Sequence, residues 1–143
     1  MQPYVKVGDI VVSRGCIRDE DTTTKIVGPE YPAISDPTVT IALASAAKGQ
    51  GYTPRKNLHV GVHHVKSELY AVENHSLSAI PRSIEEKMKA YERMGALCTD
   101  METSVFPILA DWYNSEWIKQ NLQQKIRMGC VLLVVSSHKE WGE

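Results

Sequence analysis

The sequence has few cysteines, no long apolar run and almost no net charge. Its 143 residues carry 16 Lys and Arg against 17 Asp and Glu, so it lacks the positive charge with which general nucleic-acid binders attract phosphates. The longest aliphatic run, residues 131–135, has five residues, whereas about 20 are needed to span a bilayer. No basic segment followed by an apolar one opens the chain, so no signal peptide is expected. We expect a soluble, cytoplasmic protein with no nucleic-acid or membrane partner.

The three cysteines are odd in number and form no Cys-x-x-Cys pair, which excludes a secreted disulfide scaffold. Neither Cys16 nor Cys98 has a neighbour that would activate a thiolate, so we expect both to be inert packing residues. Glycine-rich phosphate loops of the Walker or dinucleotide type are also lacking. A hydrophobic content of 43% is ordinary for a soluble globular protein, and the length fits one domain at most.

The pattern of apolar residues predicts strands that alternate with helices. A β-branched run after Gly8 predicts a buried strand, and alternation over residues 57–66 predicts a second. Shorter strands are predicted at residues 96–99 and 129–135. Strands alternating with helices are typical of an α/β fold with parallel pairing.

Local signals predict where the helices begin. Asp36 is a candidate N-cap in front of a proline, which opens a first helix. Ser83 and Glu86 form a capping box that predicts the start of a second helix. A third helix is expected from Met101 onward. The polar segment 18–24 is predicted to be a loop.

Ligands of open α/β sheets gather at the carboxyl ends of the strands. This rule directs attention to four places in the sequence. They are the loop after Ser13, the loop after Lys66, residues 99–102, and the segment Ser136-Ser137-His138.

Two carboxylates flank one methionine in the third of these places. Asp100 and Glu102 lie at the exit of a predicted buried strand, where a carboxylate needs a partner or a ligand. A structural interpretation stays open beside this one. In it Asp100 only caps the next helix, and Glu102 favours the positive end of that helix.

Three histidines on the second predicted strand suggest a metal site at first sight. In a strand His59 and His63 share one face, whereas His64 points to the other. No cysteine or acidic residue stands nearby at zinc spacing. We therefore expect no metal site here.

Four blocks of the sequence resemble those of uridine phosphorylases, in the same order and spacing: VGDIVVSRGCIRDEDTT, PEYPAISDP, HVGVHHVKSELY and GALCTDMETSVFPILA. These enzymes belong to the nucleoside phosphorylase superfamily. The resemblance implies a phosphorylase-type three-layer α/β fold, whose mixed, mostly parallel central sheet is flanked by helices. It implies that phosphate displaces the base of a nucleoside to give ribose 1-phosphate and uracil. Inorganic phosphate is then the co-substrate, no cofactor is needed, and the protein forms a homo-oligomer.

The resemblance also implies roles for individual residues at the ribose. Glu102 stands at the position of a carboxylate that accepts hydrogen bonds from the ribose hydroxyls. Met101 stands where an apolar side chain lies against the sugar. Asp100 replaces the glutamate that the family usually has.

The candidate base-binding residues depart further from the family. Leu69 followed by Tyr70 replaces an aromatic pair, while Glu73 and His75 stand near the positions of a glutamine and an arginine. An ionised glutamate only accepts hydrogen bonds, whereas glutamine also donates. Ser137 stands where the purine branch has an aspartate that protonates the leaving base.

As a domain, residues 1–143 resemble the C-terminal portion of the family, without its N-terminal phosphate-binding strands and its final helix. The resemblance therefore implies truncation at both ends. Neither Arg14 nor Arg18 matches a phosphate ligand of the family, so no phosphate site is assigned in this chain. Two alternatives to a phosphorylase stay open. One is a non-catalytic remnant that binds nucleoside or assembles with full-length subunits, and the other is an inert α/β domain.

Overall fold

The computed structural model of the chain describes residues 2–120 and 125–137, so the candidate segment at its end is covered up to Ser137 and His138 lies outside. Within these described residues five strands form one sheet: β1 (Ile10–Asp19), β2 (Ala33–Ile34), β3 (Leu58–Lys66), β4 (Thr99–Asp100) and β5 (Cys130–Leu133). The helices are α1 (Asp21–Thr24), α2 (Pro37–Gly49), α3 (Tyr70–Glu73), α4 (Pro81–Arg93) and α5 (Val105–Lys119), with a 3₁₀ turn at His75–Leu77.

The sheet is mixed, with its longest pairing parallel. Strand β1 pairs in parallel with β3 over its whole length, and β3 pairs in parallel with β4. Strands β2 and β5 both run antiparallel along the other side of β1. The structure therefore confirms the α/β class and the mixed central sheet.

Strands β1 and β3 supply much of the core. Val11, Val12 and Val65 are fully buried, and Leu58 is nearly so. Helix α2 packs against β1 and β3, whereas α5 packs against β2 and α1. Burial of the β-branched side chains that predicted β1 therefore fixes the middle of the sheet.

The start of α2 was predicted correctly, because its signal is local. One Asp36 carboxylate oxygen accepts hydrogen bonds from the backbone N–H groups of Thr38 (2.9 Å) and Val39 (3.1 Å). The predicted start of α4 at Ser83 is wrong, since the helix begins at Pro81. Proline suits the first helical position because its φ is preset and no N–H is lost there.

Other boundaries also differ from the predictions. Helix α5 begins at Val105 instead of Met101, because a turn intervenes. Strand β4 is confined to Thr99–Asp100, although backbone bonding to β3 starts with the Leu97 N–H to the Val62 carbonyl (2.9 Å). The polar segment 18–24 is not all loop, since β1 extends to Asp19 and α1 follows. In the part of the chain that the structure describes, no helix has the length and apolarity to cross a membrane.

Candidate functional site

The carboxyl ends of three parallel strands lie together at one end of the sheet. We call this end, where the strands finish, the carboxyl edge. Asp19 ends β1, Lys66 ends β3 and Asp100 ends β4. The register pairs Asp19 with Lys66 and Val65 with Asp100, so the three ends lie side by side. Two of the four places predicted from the sequence, the loop after Lys66 and residues 99–102, meet at this edge.

The other two places do not belong to the edge. Ser13 lies inside β1, at an irregularity next to Gly15, so no loop follows it. Strand β5 runs antiparallel to β1, and the Gly8 N–H donates to the Val134 carbonyl (2.8 Å). Ser137, which follows β5, is therefore at the end of the sheet where β1 begins, and the structure does not bring it to the other candidates.

Asp100 is held between His63 and Thr103. The Thr103 N–H donates to Oδ2 over 3.1 Å. His63 Nε2 lies 3.2 Å from Oδ1, but its hydrogen-bond partner is the Thr103 hydroxyl at 2.5 Å, so Oδ1 contacts the ring without a hydrogen bond of its own. Burial alone would raise the pKa of Asp100, but its interactions with His63 and Thr103 outweigh burial and lower that pKa. Asp100 is thus an ionised, fixed group. It stabilises the turn ahead of α5, but Ser104 occupies the N-cap position.

Met101 and Glu102 differ from Asp100 in that both are exposed. Met101 is 36% exposed, and its backbone N–H donates to Glu102 Oε2 over 3.2 Å. An apolar side chain and a carboxylate are therefore presented to solvent beside an anchored aspartate. A sugar with several hydroxyl groups fits such a surface chemically, because the carboxylate accepts from hydroxyls while methionine packs against carbon.

The candidate base-binding residues follow the end of β3. Leu69 is the N-cap residue of α3, Glu73 ends that helix and His75 opens the 3₁₀ turn. The Lys66 ammonium donates to Glu73 Oε1 and forms an ion pair with it. Glu73 is thereby tied to the carboxyl end of β3, next to the strand that carries Asp100.

The three histidines of β3 do not converge on one point. His59 Nε2 lies 2.8 Å from Asp9 Oδ2, and His64 Nε2 lies 2.9 Å from Asp19 Oδ2, while His63 meets Asp100 as described. Each histidine has its own carboxylate. Within residues 2–120 and 125–137, no group of three or more His, Cys, Asp and Glu side chains could hold a metal ion.

The sequence did not predict the network of polar contacts around Asp19. His64 is fully buried and connects the Thr99 hydroxyl, 3.4 Å from Nδ1, to Asp19, which also pairs with Lys87 of α4. Burial opposes ionisation of Asp19, but the hydrogen bonds from His64 and Lys87 hold its pKa below the usual range. Its only signal in the sequence is a histidine on a buried strand, which demands a polar partner.

The thiol pKa values agree with the prediction that Cys16 and Cys98 are inert packing residues. Burial raises the pKa of Cys16 and of Cys98 to about 12, with a further contribution from the Asp100 charge. Burial likewise raises the pKa of Cys130 to about 11. Thiols with such pKa values carry almost no thiolate at neutral pH, so they are poor nucleophiles.

The Arg18 side chain of β1 forms hydrogen bonds within the protein. Its guanidinium donates to the Thr23 hydroxyl (2.9 Å) and to the carbonyls of Val27 (2.9 Å), Gly28 (2.7 Å) and Tyr31 (2.5 Å). These bonds hold the loop between α1 and β2. The side chain is thereby committed to a structural role.

Comparisons with known proteins agree with one another, because the matching family model and the similar proteins all describe phosphorylases. The family model for the phosphorylase superfamily matches residues 1–118. A uridine phosphorylase of Treponema pallidum (strain Nichols) is 27% identical over 137 residues, which are 96% of this chain and 47% of that protein. The uridine phosphorylase of Escherichia coli (strain K12) is 28% identical over 107 residues, 73% of this chain and 41% of that protein.

A uridine phosphorylase of Thermococcus kodakarensis is 36% identical over 62 residues, 43% of this chain and 21% of that protein. The chain thus spans less than half the length of these curated relatives. The match over residues 1–118 nevertheless takes in all the elements that form the edge with Asp100, Met101 and Glu102. On that match, and with a mixed sheet that agrees with it, the chain belongs to the phosphorylase superfamily.

Proposed function

We propose that the chain binds a nucleoside at the carboxyl ends of β3 and β4, for phosphorolysis of the uridine phosphorylase type. The observation that carries this proposal is the arrangement of Asp100, Met101 and Glu102, in which one carboxylate is anchored and its two neighbours face solvent. The family membership and the printed names of the relatives support it. Inorganic phosphate is the proposed second substrate, and no cofactor takes part.

In the proposed reaction a phosphate oxygen forms a bond to C1′ of the ribose while the bond from C1′ to the base nitrogen breaks. The electron pair of that bond leaves with the base, which then takes up a proton. Because the sugar gains oxocarbenium character, the enzyme has to fix the ribose in place. Glu102 accepts from the ribose hydroxyls in this proposal, and each such charge-assisted hydrogen bond contributes about 1.5–3 kcal/mol. Met101 packs against the sugar carbons.

The base is proposed to lie toward Leu69, Glu73 and His75. The ion pair between Lys66 and Glu73 supports this placement, because it ties Glu73 to the strand next to β4. Ser137 is left out of the proposal, since it follows β5 at the other end of the sheet.

A second candidate function is nucleoside binding without catalysis. One observation favours it. Arg18 is committed to the Thr23 hydroxyl and to three backbone carbonyls, so it does not serve as a phosphate ligand. Phosphate dependence separates the two functions, because phosphorolysis releases uracil only when phosphate is present, whereas plain binding releases none.

Substitution of Glu102 tests the ribose contact. We expect Glu102→Ala to weaken uridine binding about tenfold or more, because a charge-assisted hydrogen bond is lost. Glu86→Ala, which removes an exposed glutamate of α4, is the matched control and should leave the affinity unchanged. Isothermal titration with uridine measures both, and thermal unfolding checks that the variants remain folded. Equal affinities of Glu102→Ala and the wild type would rule out the ribose role.

A further inference from the structure

Lys66 is a buried cation at the edge that carries the candidate site. Its side chain is 3% exposed, and that of its partner Glu73 is 20% exposed. A buried ammonium without a carboxylate partner is strongly destabilising. Moving Glu73 away would leave the Lys66 ammonium buried without this partner. The Glu73 carboxylate therefore stays at this position.

Helix α3 has only four residues, and Leu69 at its N-cap makes no side-chain capping bond. Glu68 Oε2 caps it instead, by accepting from the N–H groups of Ala71 (2.6 Å) and Val72 (3.2 Å). That cap is local and does not join the helix to the sheet. So short a helix is not stable by itself. The ion pair to Lys66 joins the last residue of this helix to the last residue of β3, and so anchors the helix to the sheet.

This anchor lies beside the candidate ribose-binding residues. Val65 of β3 pairs with Asp100 of β4. Lys66, the last residue of β3, and Met101, the first residue after β4, therefore lie at the same end of neighbouring strands, whose spacing is about 4.8 Å. A carboxylate held by Lys66 is well placed to contact the base of a nucleoside whose ribose lies on Met101.

We propose that Lys66 is a positioning residue that fixes Glu73 as an ionised hydrogen-bond acceptor for a ring N–H of the base. This inference rests on the proposed nucleoside-binding function. An ionised carboxylate only accepts hydrogen bonds, so the site selects bases with a ring N–H on the contacted edge, such as N3–H of uracil. A purely structural ion pair, by contrast, would affect stability but not the choice of base.

The test compares the affinities for uridine and N3-methyluridine, in which a methyl group replaces the N–H. For the wild type we expect uridine to bind at least about tenfold more tightly. In Lys66→Met the Glu73 carboxylate loses its anchor. The affinities for uridine and N3-methyluridine should then differ by no more than about threefold. Lys66→Met/Glu73→Leu removes both charges and leaves none buried alone. It tests whether Glu73 contacts the base at all, which the role of Lys66 requires, and the ratio of its two affinities should fall in the same way.

Lys87→Met is the matched control. Lys87 is also an ion-paired lysine near this edge, but its partner is Asp19 and its side chain is 45% exposed. We expect this variant to keep the wild-type ratio. An unchanged ratio in folded Lys66→Met or in the double variant would overturn the role of Lys66. So would equal binding of the two nucleosides by the wild type.

The Glu102→Ala titration separates this inference from the proposed function. If uridine binds, and Glu102→Ala weakens it while the Lys66 variants keep the ratio, only the positioning role fails. If the wild type binds neither nucleoside in the titration, the proposed function fails and this inference fails with it.

Discussion

At the scale of single residues, the histidines of β3 are each placed against a carboxylate. Three closely spaced histidines are buried, and each lies within hydrogen-bonding distance of a carboxylate on another part of the chain: His59 with Asp9, His63 with Asp100, His64 with Asp19. These contacts offset part of the desolvation penalty of burying the rings, although His63 Nδ1 has no hydrogen-bond partner among the described residues. Two of these pairs end at the sheet edge that carries the candidate site, so the core and the site share the same polar contacts.

Asp100 gives a prediction about stability and pH. Interactions with His63 and Thr103 outweigh burial and lower its pKa below the ordinary value of 3.8. Its contribution to stability is therefore complete above about pH 3.8 and is lost as the pH falls through the lower folded-state pKa. We expect Asp100→Asn to be less stable at pH 7 by about 1–3 kcal/mol. The difference from the wild type should shrink in acid.

Urea unfolding at neutral pH and at several values below 3.8 measures this difference. Glu86→Gln, at an exposed position of α4, is the control and should change stability little at either pH. A difference for Asp100→Asn that stays constant with pH would mean that its carboxylate charge does not stabilise the fold.

At the scale of elements, local signals in the sequence predicted what local bonds determine. The N-cap of α2 was found because Asp36 bonds to residues only two and three positions away. At α4 two local signals compete, and Pro81 overrides the capping box at Ser83. The direction of β5 was not predictable in this way, because antiparallel pairing with β1 depends on residues distant in the sequence.

The same distinction holds for the candidate site. The position of Asp100, Met101 and Glu102 at a strand exit follows from the local pattern, and the structure agrees. The partner of Asp100 does not follow from it, because His63 belongs to another strand. The contact of Lys66 was not predictable for the same reason, since the sequence alone does not show that this lysine is buried against Glu73.

Two glycines test how α2 packs on the sheet. A Cβ atom at Gly129 would lie 2.5 Å from Val39 Cγ1 and 3.1 Å from Leu43 Cδ1, both on α2. We therefore expect Gly129→Ala to push α2 away and to destabilise the protein by about 1–3 kcal/mol. Gly49, the last residue of α2, has nothing within 4 Å of such an atom.

Gly49→Ala is accordingly the matched variant. It should stabilise the protein by about 0.4–1 kcal/mol, because alanine reduces the conformational entropy of the unfolded chain. Thermal or urea unfolding of both variants measures the pair. If Gly129→Ala were as stable as Gly49→Ala, the close contact between α2 and the start of β5 would be refuted.

At the scale of the whole molecule, parallel pairing collects the functional candidates. Strands β1, β3 and β4 run in the same direction, so their carboxyl ends bring Asp19, Lys66 and Asp100 to one edge. Strand β5 runs the other way and carries Ser137 to the opposite edge. The polarity of the sheet thus decides which of the candidates from the sequence can act together on one ligand.

The central claim is that a nucleoside binds at the carboxyl ends of β3 and β4. The most direct test is to titrate the ¹⁵N-labelled chain with uridine and to follow its backbone amide signals by NMR. We predict that the shifted signals belong to residues 99–103 and 66–75, while those of β5 and α2 stay in place. Shifts confined to another surface, such as the cleft lined by Asp36, Asn114 and Lys125, or no shifts at saturating uridine, would contradict the claim.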